Sequence, residues 1–336
     1  MSGDGASFTW RDANRTVLFG QGAVEGAPGT LAEHGFEEFD LLSTPRAMAE
    51  ANQLAAAAAA VHEVAPGGVP EAAAALLGHA SSPALVALGG GRVIDAAKAV
   101  ASVEGQTVAA IPTTLSGAEM TGVHRFPAGA EERAKGLVRP ELVIADPEPM
   151  TSQPESQLRA SAMNALAHGA DSLYTPLANP VSRMIALRGA QLIGEALDQS
   201  PDDRDRSALA LGAILCGYAF DSALFAIHHV ICQTLVRELG VPHAETNAAI
   251  LPHAIAFMRE RAPVQIGDLA NALHTDPDSL PDRIAELGRP LGLGDLSVDK
   301  EGLEKVLDEI EARPQLAFTP DPPDREQLRT IIEAAW

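Results

Sequence analysis

Through its first 150 residues the chain alternates short apolar runs with Ala-rich stretches of helical period, and this alternation narrows its possible folds more than any other feature. The apolar runs fall at 16–19 (TVLF), 39–42 (FDLL), 84–88 (ALVAL), 108–111 (VAAI) and 142–145 (LVIA), each closed by Gly, Pro, Ser or Thr. Runs so short and so apolar suit strands buried on both faces of a parallel sheet. Helical patterns between them, notably 47–61 and 94–102, provide the crossovers that parallel strands need.

Beyond Pro147 the pattern changes. Ser152 and Glu155 have capping-box spacing with Pro154 in the first turn, predicting a helix to about Tyr174. Asn179-Pro180 reads as a second cap, and residues 204–239 are helical in period up to a stop at Gly240. Helical patterning continues to Trp336, broken by Pro-rich turns around 290 and 320, with no strand candidate after 150. The expectation is an α/β plus all-α chain. A Rossmann-like parallel-sheet dinucleotide-binding domain spans 1–150, and an all-helical catalytic domain spans 151–336.

Composition limits what such a chain binds. Over 336 residues, 46% hydrophobic and 21% charged content is ordinary globular usage. A net charge of −21 disfavours nucleic acid and anionic lipid as partners. It also means that an anionic small-molecule substrate needs local cations or helix N-termini. Cys216 and Cys232 form no CxxC pair, so neither a disulfide scaffold nor a thiolate metal site is indicated. Residues 1–5 lack the basic and apolar segments of a signal peptide, and no apolar run approaches the ~20 residues of a membrane span. The expected setting is cytoplasmic.

Gly89-Gly90-Gly91 follows a predicted strand and enters a predicted helix. Glycines there let the backbone approach a pyrophosphate, and the helix N-terminus offers N–H donors. Asp95 can bond a nucleotide hydroxyl, and Lys98 can support phosphate or pair with an acid. Read alone, the turn is equally well a tight strand–helix junction. A second polar loop, 111–119, places Thr113, Thr114 and Ser116 after another strand, where ligands bind in open parallel sheets.

In the helical half, Asn164 and His168 are four residues apart and share a helix face. His229 lies on a long helix, and His243 follows Pro242 at the entry to the next. Three imidazoles and a carboxamide from three elements can converge, although each His read singly is equally a structural core or capping residue. His228, His253 and Glu245 are further candidates. Spacing alone leads to a nucleotide-binding enzyme and no further.

Taken together, these segments resemble the iron-containing alcohol dehydrogenase superfamily, and within it the maleylacetate reductases. GGGRVIDAAK (89–98) is similar to the superfamily's GGGSxxDxxK turn and PTTLSGAEMT (112–121) to the reductases' PTTYAGSEMT. AMNALAH (162–168), HHVIC (228–232), PHAET (242–246) and LPH (251–253) resemble their MNALAH, HHKIC, PHAETH and LPH segments.

The resemblance implies a homodimeric, two-domain enzyme of dehydroquinate synthase-like fold, with NADH or NADPH as cofactor and the active site in the interdomain cleft. It implies reduction of maleylacetate, or a related unsaturated oxo-dicarboxylate, to 3-oxoadipate in aromatic-compound breakdown. Gly89, Gly90, Gly91, Asp95, Thr113, Thr114, Ser116 and Lys135 are then expected around the cofactor. His229 and His243 are expected to stabilise an oxyanion or donate a proton, with His168 organising them.

Metal-dependent members hold a divalent ion with one Asp and three His, positions matched here by Asn164, His168, His229 and His243. Asn164 removes the only anionic ligand, which favours a reaction without metal. The strand end at Ser43–Arg46 carries no acidic residue for a ribose 2′-hydroxyl, so NADP remains open beside NAD. Arg92, Leu115, Ala118, Gln233 and Asn247 depart from the usual Ser, Tyr, Ser, His and His. These departures leave open a dehydrogenase for another carbonyl, or a non-redox enzyme or scaffold on the same fold.

Overall fold

The computed structural model describes residues 7–296 and 300–336, so the 1–5 segment read above lies outside it. The chain divides into two compact units, one extending to Gln153 and the other starting at Pro154.

The first unit is built on a seven-stranded sheet of order β1-β2-β7-β6-β5-β3-β4. Its strands are β1 (Phe8–Asp12), β2 (Arg15–Phe19), β3 (Phe39–Ser43), β4 (Ala60–Glu63), β5 (Ala84–Gly89), β6 (Thr107–Pro112) and β7 (Leu142–Ala145). Only β1 pairs antiparallel; every other pairing is parallel. All six residues of β5 are buried, and they alternate between two cores. Ala84, Val86 and Leu88 face one with Leu31, Leu41 and Ile111, whereas Leu85 and Ala87 face the other with Ile94, Val100 and Val108. Burial on both faces accounts for the uninterrupted apolar runs.

Five strands coincide with the apolar runs, and β1 and β4 escaped them. Both are edge strands with alternating, half-exposed residues, and β4 pairs only with β3. The expected 47–61 helix is therefore corrected. It breaks into Pro45–Glu50 and Asn52–Ala57, and Val61 joins β4. Alanine favours helix only weakly on its own, and pairing with Asp40–Ser43 outweighs that preference here.

The described part of the second unit contains helices and no strand. Its long helices are Glu155–Ser172, Pro180–Asp198, Arg206–Ala223, Ile227–Leu239 and His243–Met258. The capping box at Asn179 forms: its side chain accepts from Ser182 N while Ser182 Oγ accepts from Asn179 N. The one expected at Ser152 does not. The helix begins after Pro154 without a side-chain cap, Ser152 donates to Pro149 O, and Glu155 instead binds Arg159 and Arg204.

The 204–239 stretch is two helices rather than one, turned through 98° at the 224–226 break. Leu224 occupies positive φ (59°), strained for a branched residue. Gly240 ends the second helix at φ 67°, as its sequence position suggested. Among the described residues no single helix is long and apolar enough to cross a membrane.

Candidate active site

In the sheet unit, β5 and β6 end side by side, Gly89 opposite Pro112, which brings the glycine turn against the Thr113–Ser116 loop. Thr113 N donates to Gly89 O at 3.0 Å. None of the three glycines has positive φ; their role is space. A Cβ on Gly90 would lie 2.9 Å from Thr114 Cγ2, and one on Gly91 would lie 3.0 Å from Ser116 Cβ.

The Gly91–Glu104 helix starts here with no side-chain cap, leaving its first N–H groups for a ligand. On the other side of β5 lies β3, whose chain continues to β4 while that of β5 continues to β6. The connections thus diverge between β3 and β5, the switch point where open α/β sheets bind ligands. Ser43 Oγ ties the two strand ends together by donating to Leu88 O at 2.8 Å. An uncapped helix N-terminus, a Cβ-free turn and a switch point suit a dinucleotide pyrophosphate.

Of the two readings given for Lys98 the structure takes the second, pairing with an acid, and Lys135 of the expected cofactor set takes another position. Lys98 is fully buried, pairs with Asp95 at 2.7 Å and donates to the carbonyls of Ala118, Thr121 and Val123. It therefore ties the second loop to the helix rather than meeting a phosphate. Lys135 sits over Gly105, past the C-terminus of the same helix, roughly 20 Å along its axis from the glycine turn. Lys135 is not among the residues brought to that turn.

Beneath the loop, Glu119 is completely buried, and among the described residues neither carboxylate oxygen meets a hydrogen-bond partner. Burial raises its pKa to about 7, against the opposing pull of its own backbone amide and of Lys98.

In the helical unit, the Glu155–Ser172 helix carries Asn164 and His168, both buried. The 224–226 turn brings His229 back onto it, and the two imidazoles stack with centroids 4.8 Å apart and planes 15° from parallel. Phe220 packs edge-on against both rings, at 4.5 and 4.9 Å.

The group that orients His229 is Asp171, which sequence reasoning missed. It lies one turn beyond His168 on the same helix and is fully buried. Asp171 Oδ2 accepts from His229 Nδ1 at 2.9 Å and from the backbone N–H groups of His229 and Ala226 at 3.1 Å. Tyr174 donates to Oδ1 at 2.6 Å. Burial by itself would raise the Asp171 pKa, but the hydrogen bond and charge of His229, with His228 and Tyr174, outweigh it and hold it at about 2. The available signal was an acid three residues after His168, on the same face.

With Nδ1 engaged, His229 Nε2 is the atom left to meet a ligand; among the described residues it has no hydrogen-bond partner, and neither has His168 Nδ1. Burial, followed by the neighbouring histidines, drives the His168 pKa well below its usual value, so that ring is neutral. His243 is the exposed first residue of its helix.

Asn247 and Gln233, two of the departures, have structural partners. Asn247 bonds His228 Nε2 at 2.9 Å and donates to His243 O, while Gln233 accepts from Arg313 at 2.6 Å. His253 instead lines a groove of about 310 Å³ with Phe257, Arg261 and Gln327.

The family-matched ligand positions do not fit a divalent ion. Among the described residues no three His, Cys, Asp or Glu side chains are arranged to hold one. Asn164 contributes no charge, and Asp171, the local carboxylate, is occupied by four donors.

Comparisons with known proteins show the family to which the chain is similar. Residues 14–147 match the family described as iron-containing alcohol dehydrogenase, and residues 159–336 match the C-terminal part of the Fe-containing alcohol dehydrogenase family. The chain is 34% identical to a maleylacetate reductase of Burkholderia cepacia, with 95% of each covered. It is 31% identical to one of Rhizobium sp. strain MTP-10005, over 98% of this chain and 97% of the relative. A crystal structure of maleylacetate reductase from that Rhizobium strain superposes with a TM-score of 0.82 at 30% identity, over 98% of both chains.

Proposed function

The chain belongs to the iron-containing alcohol dehydrogenase family, and on that footing we propose that it reduces maleylacetate, or a closely related unsaturated oxo-dicarboxylate, at the expense of NADH or NADPH. The observation that carries this reading is the buried His168–His229 stack with Asp171 on Nδ1, in a chain whose relatives are maleylacetate reductases.

The glycine turn and the Thr113–Ser116 loop are the proposed cradle for the pyrophosphate. Held by those residues, a reduced nicotinamide would supply a hydride to the alkene carbon β to the ketone, and the enol or enolate so formed would revert to the saturated ketone by taking a solvent proton at the α-carbon. The protein's task is the charge that builds on the ketone oxygen. Asp171 holds a hydrogen on His229 Nδ1 and fixes the ring, so that Nε2 faces that oxygen and, when it carries a proton, donates it. Neutral His168, packed against the same ring, and Phe220 keep water away from the pair. His243, at the mouth of its helix, is the proposed exchange point with solvent.

A hydrogen-bond donor can stabilise the enolate-like oxygen of a polarised enone, and with Asn164 in the ligand set we propose that metal takes no part. The Thr44–Arg46 end of β3 carries no acid and exposes Arg46, which supports use of NADPH beside NADH. A cytoplasmic homodimer completes the proposal; sedimentation at micromolar concentration tests the assembly.

The deciding assay mixes the protein with maleylacetate and NADH or NADPH and follows nicotinamide absorbance. Oxidation of the cofactor matched by formation of 3-oxoadipate is expected. No turnover with either cofactor would sink the proposal.

A further inference from the structure

Arg313 stands at the head of the Pro314–Phe318 turn in the helical unit. Its Nη2 donates to Gln233 Oε1 at 2.6 Å, and its Nη1 reaches Thr234 Oγ1 at 3.4 Å. Gln233 lies one turn after His229 on the Ile227–Leu239 helix, so both leave the same face. Phe225 links them, its ring centroid 6.0 Å from the His229 ring and 5.9 Å from the Arg313 guanidinium carbon. The guanidinium therefore lies within about 12 Å of the imidazole.

Among the described residues no carboxylate pairs with Arg313. Arg183 and Arg188 of the same unit likewise bind a carbonyl and an amide, whereas other arginines there are neutralised. In the same unit Arg159 and Arg204 share Glu155, Arg237 binds Glu238 and Glu309, and Arg283 binds Asp198. Burial and the nearby positive charge of Arg237 push the Arg313 pKa down, the mark of a cation lacking its counter-ion. Gln233 holds the guanidinium in place without neutralising it, which a glutamate at that position would do.

We propose that Arg313 is a carboxylate-binding residue of the substrate site, receiving one carboxylate of an oxo acid whose ketone oxygen faces His229 Nε2. The assignment rests on the reductase reading above and adds its specificity element. With roughly 3 Å taken up at each end by hydrogen bonds, a span of at most this length leaves room for no more than the short carbon segment between a ketone and a carboxylate. A guanidinium matches that carboxylate in shape as well as charge, and its partly desolvated setting strengthens the contact.

Levulinate, a ketone with one carboxylate, and its methyl ester are the probes. Ligand-observed NMR titration of the full chain with NAD⁺ present gives both affinities. Wild type is expected to prefer the acid by about tenfold to a hundredfold, the usual worth of a hydrogen-bonded charge. Arg313→Met, and independently Gln233→Glu, which leaves the arginine but cancels its charge, should each bring the ratio close to one. A wild type that binds acid and ester equally, or an undiminished preference in either variant that folds, overturns the assignment. Maleylacetate turnover by the wild type is followed separately. Its absence removes the reductase reading, whereas the acid-to-ester ratio judges Arg313 alone.

Discussion

His229 and Asp171, 58 residues apart in the chain, share a buried 2.9 Å hydrogen bond from Nδ1 to Oδ2. The same oxygen receives the backbone N–H groups of Ala226 and His229, so one carboxylate both holds the sharp turn after Leu224 and sets the imidazole's tautomer. A strained backbone at Leu224 persists because its surroundings hold it. Thr175 adds to this by donating to Ala223 O at 2.5 Å.

Asp171→Asn should lower kcat by about a hundredfold or more, in the range associated with misplaced general acid–base groups. The amide can donate as well as accept, which removes the requirement for a hydrogen on Nδ1. ¹⁵N NMR of the His229 ring should therefore show a changed tautomer in a protein of native far-UV spectrum. Activity within threefold of wild type would show that Asp171 does not position the ring.

Gly90→Ala forces a methyl against Thr114, 2.9 Å away. Relief of such overpacking costs about 1–3 kcal/mol and displaces the loop of the proposed cradle. The midpoint of thermal unfolding should drop by several degrees, and the Kd for NADH, read by fluorescence titration, should rise about tenfold. Unchanged nucleotide affinity would move the cofactor away from this turn.

Glu119 gives stability a pH dependence of definite sign. Its folded pKa of about 7 lies above the ordinary 4.5. Between those values the folded state binds more protons than the unfolded state, so stability falls as pH rises from 4.5 to 7 and the loss is complete above that. Glu119→Gln removes the penalty. The variant should gain on wild type by roughly 3 kcal/mol at pH 8 and show little gain at pH 4, measured by urea unfolding. An equal difference at both pH values would contradict a buried, titrating carboxyl.

Dialysis against a chelator should leave reductase activity within twofold, and added Fe²⁺ or Zn²⁺ should not raise it. This follows from a donor set of neutral imidazoles and the Asn164 amide. Activity lost on chelation and regained with metal would point instead to a Lewis-acid reaction.

The parts legible in the sequence are those whose cause is local. Apolar runs at 84–88 and 108–111 announced strands because both faces of β5 and β6 are buried. The Asn179-Pro180 cap and the Gly240 stop lay within one helical turn of what they control. His168 and Asn164 were marked by a shared helix face. The half-exposed edges β1 and β4 carried no comparable signal, since their pairing partners rather than their own residues make them strands.

By itself, then, the sequence determined an α/β unit with a glycine turn between strand and helix, a helical unit with spaced histidines, and an asparagine in place of a carboxylate. Only the tertiary structure decided that Asp171 orients His229, that Gln233 holds Arg313, that Lys98 ties the second loop to its helix, and that Lys135 lies away from the glycine turn. The reason is physical. A hydrogen bond between side chains 58 or 80 residues apart depends on a bend at Leu224 and on packing between helices, and neither is encoded in spacing along one element.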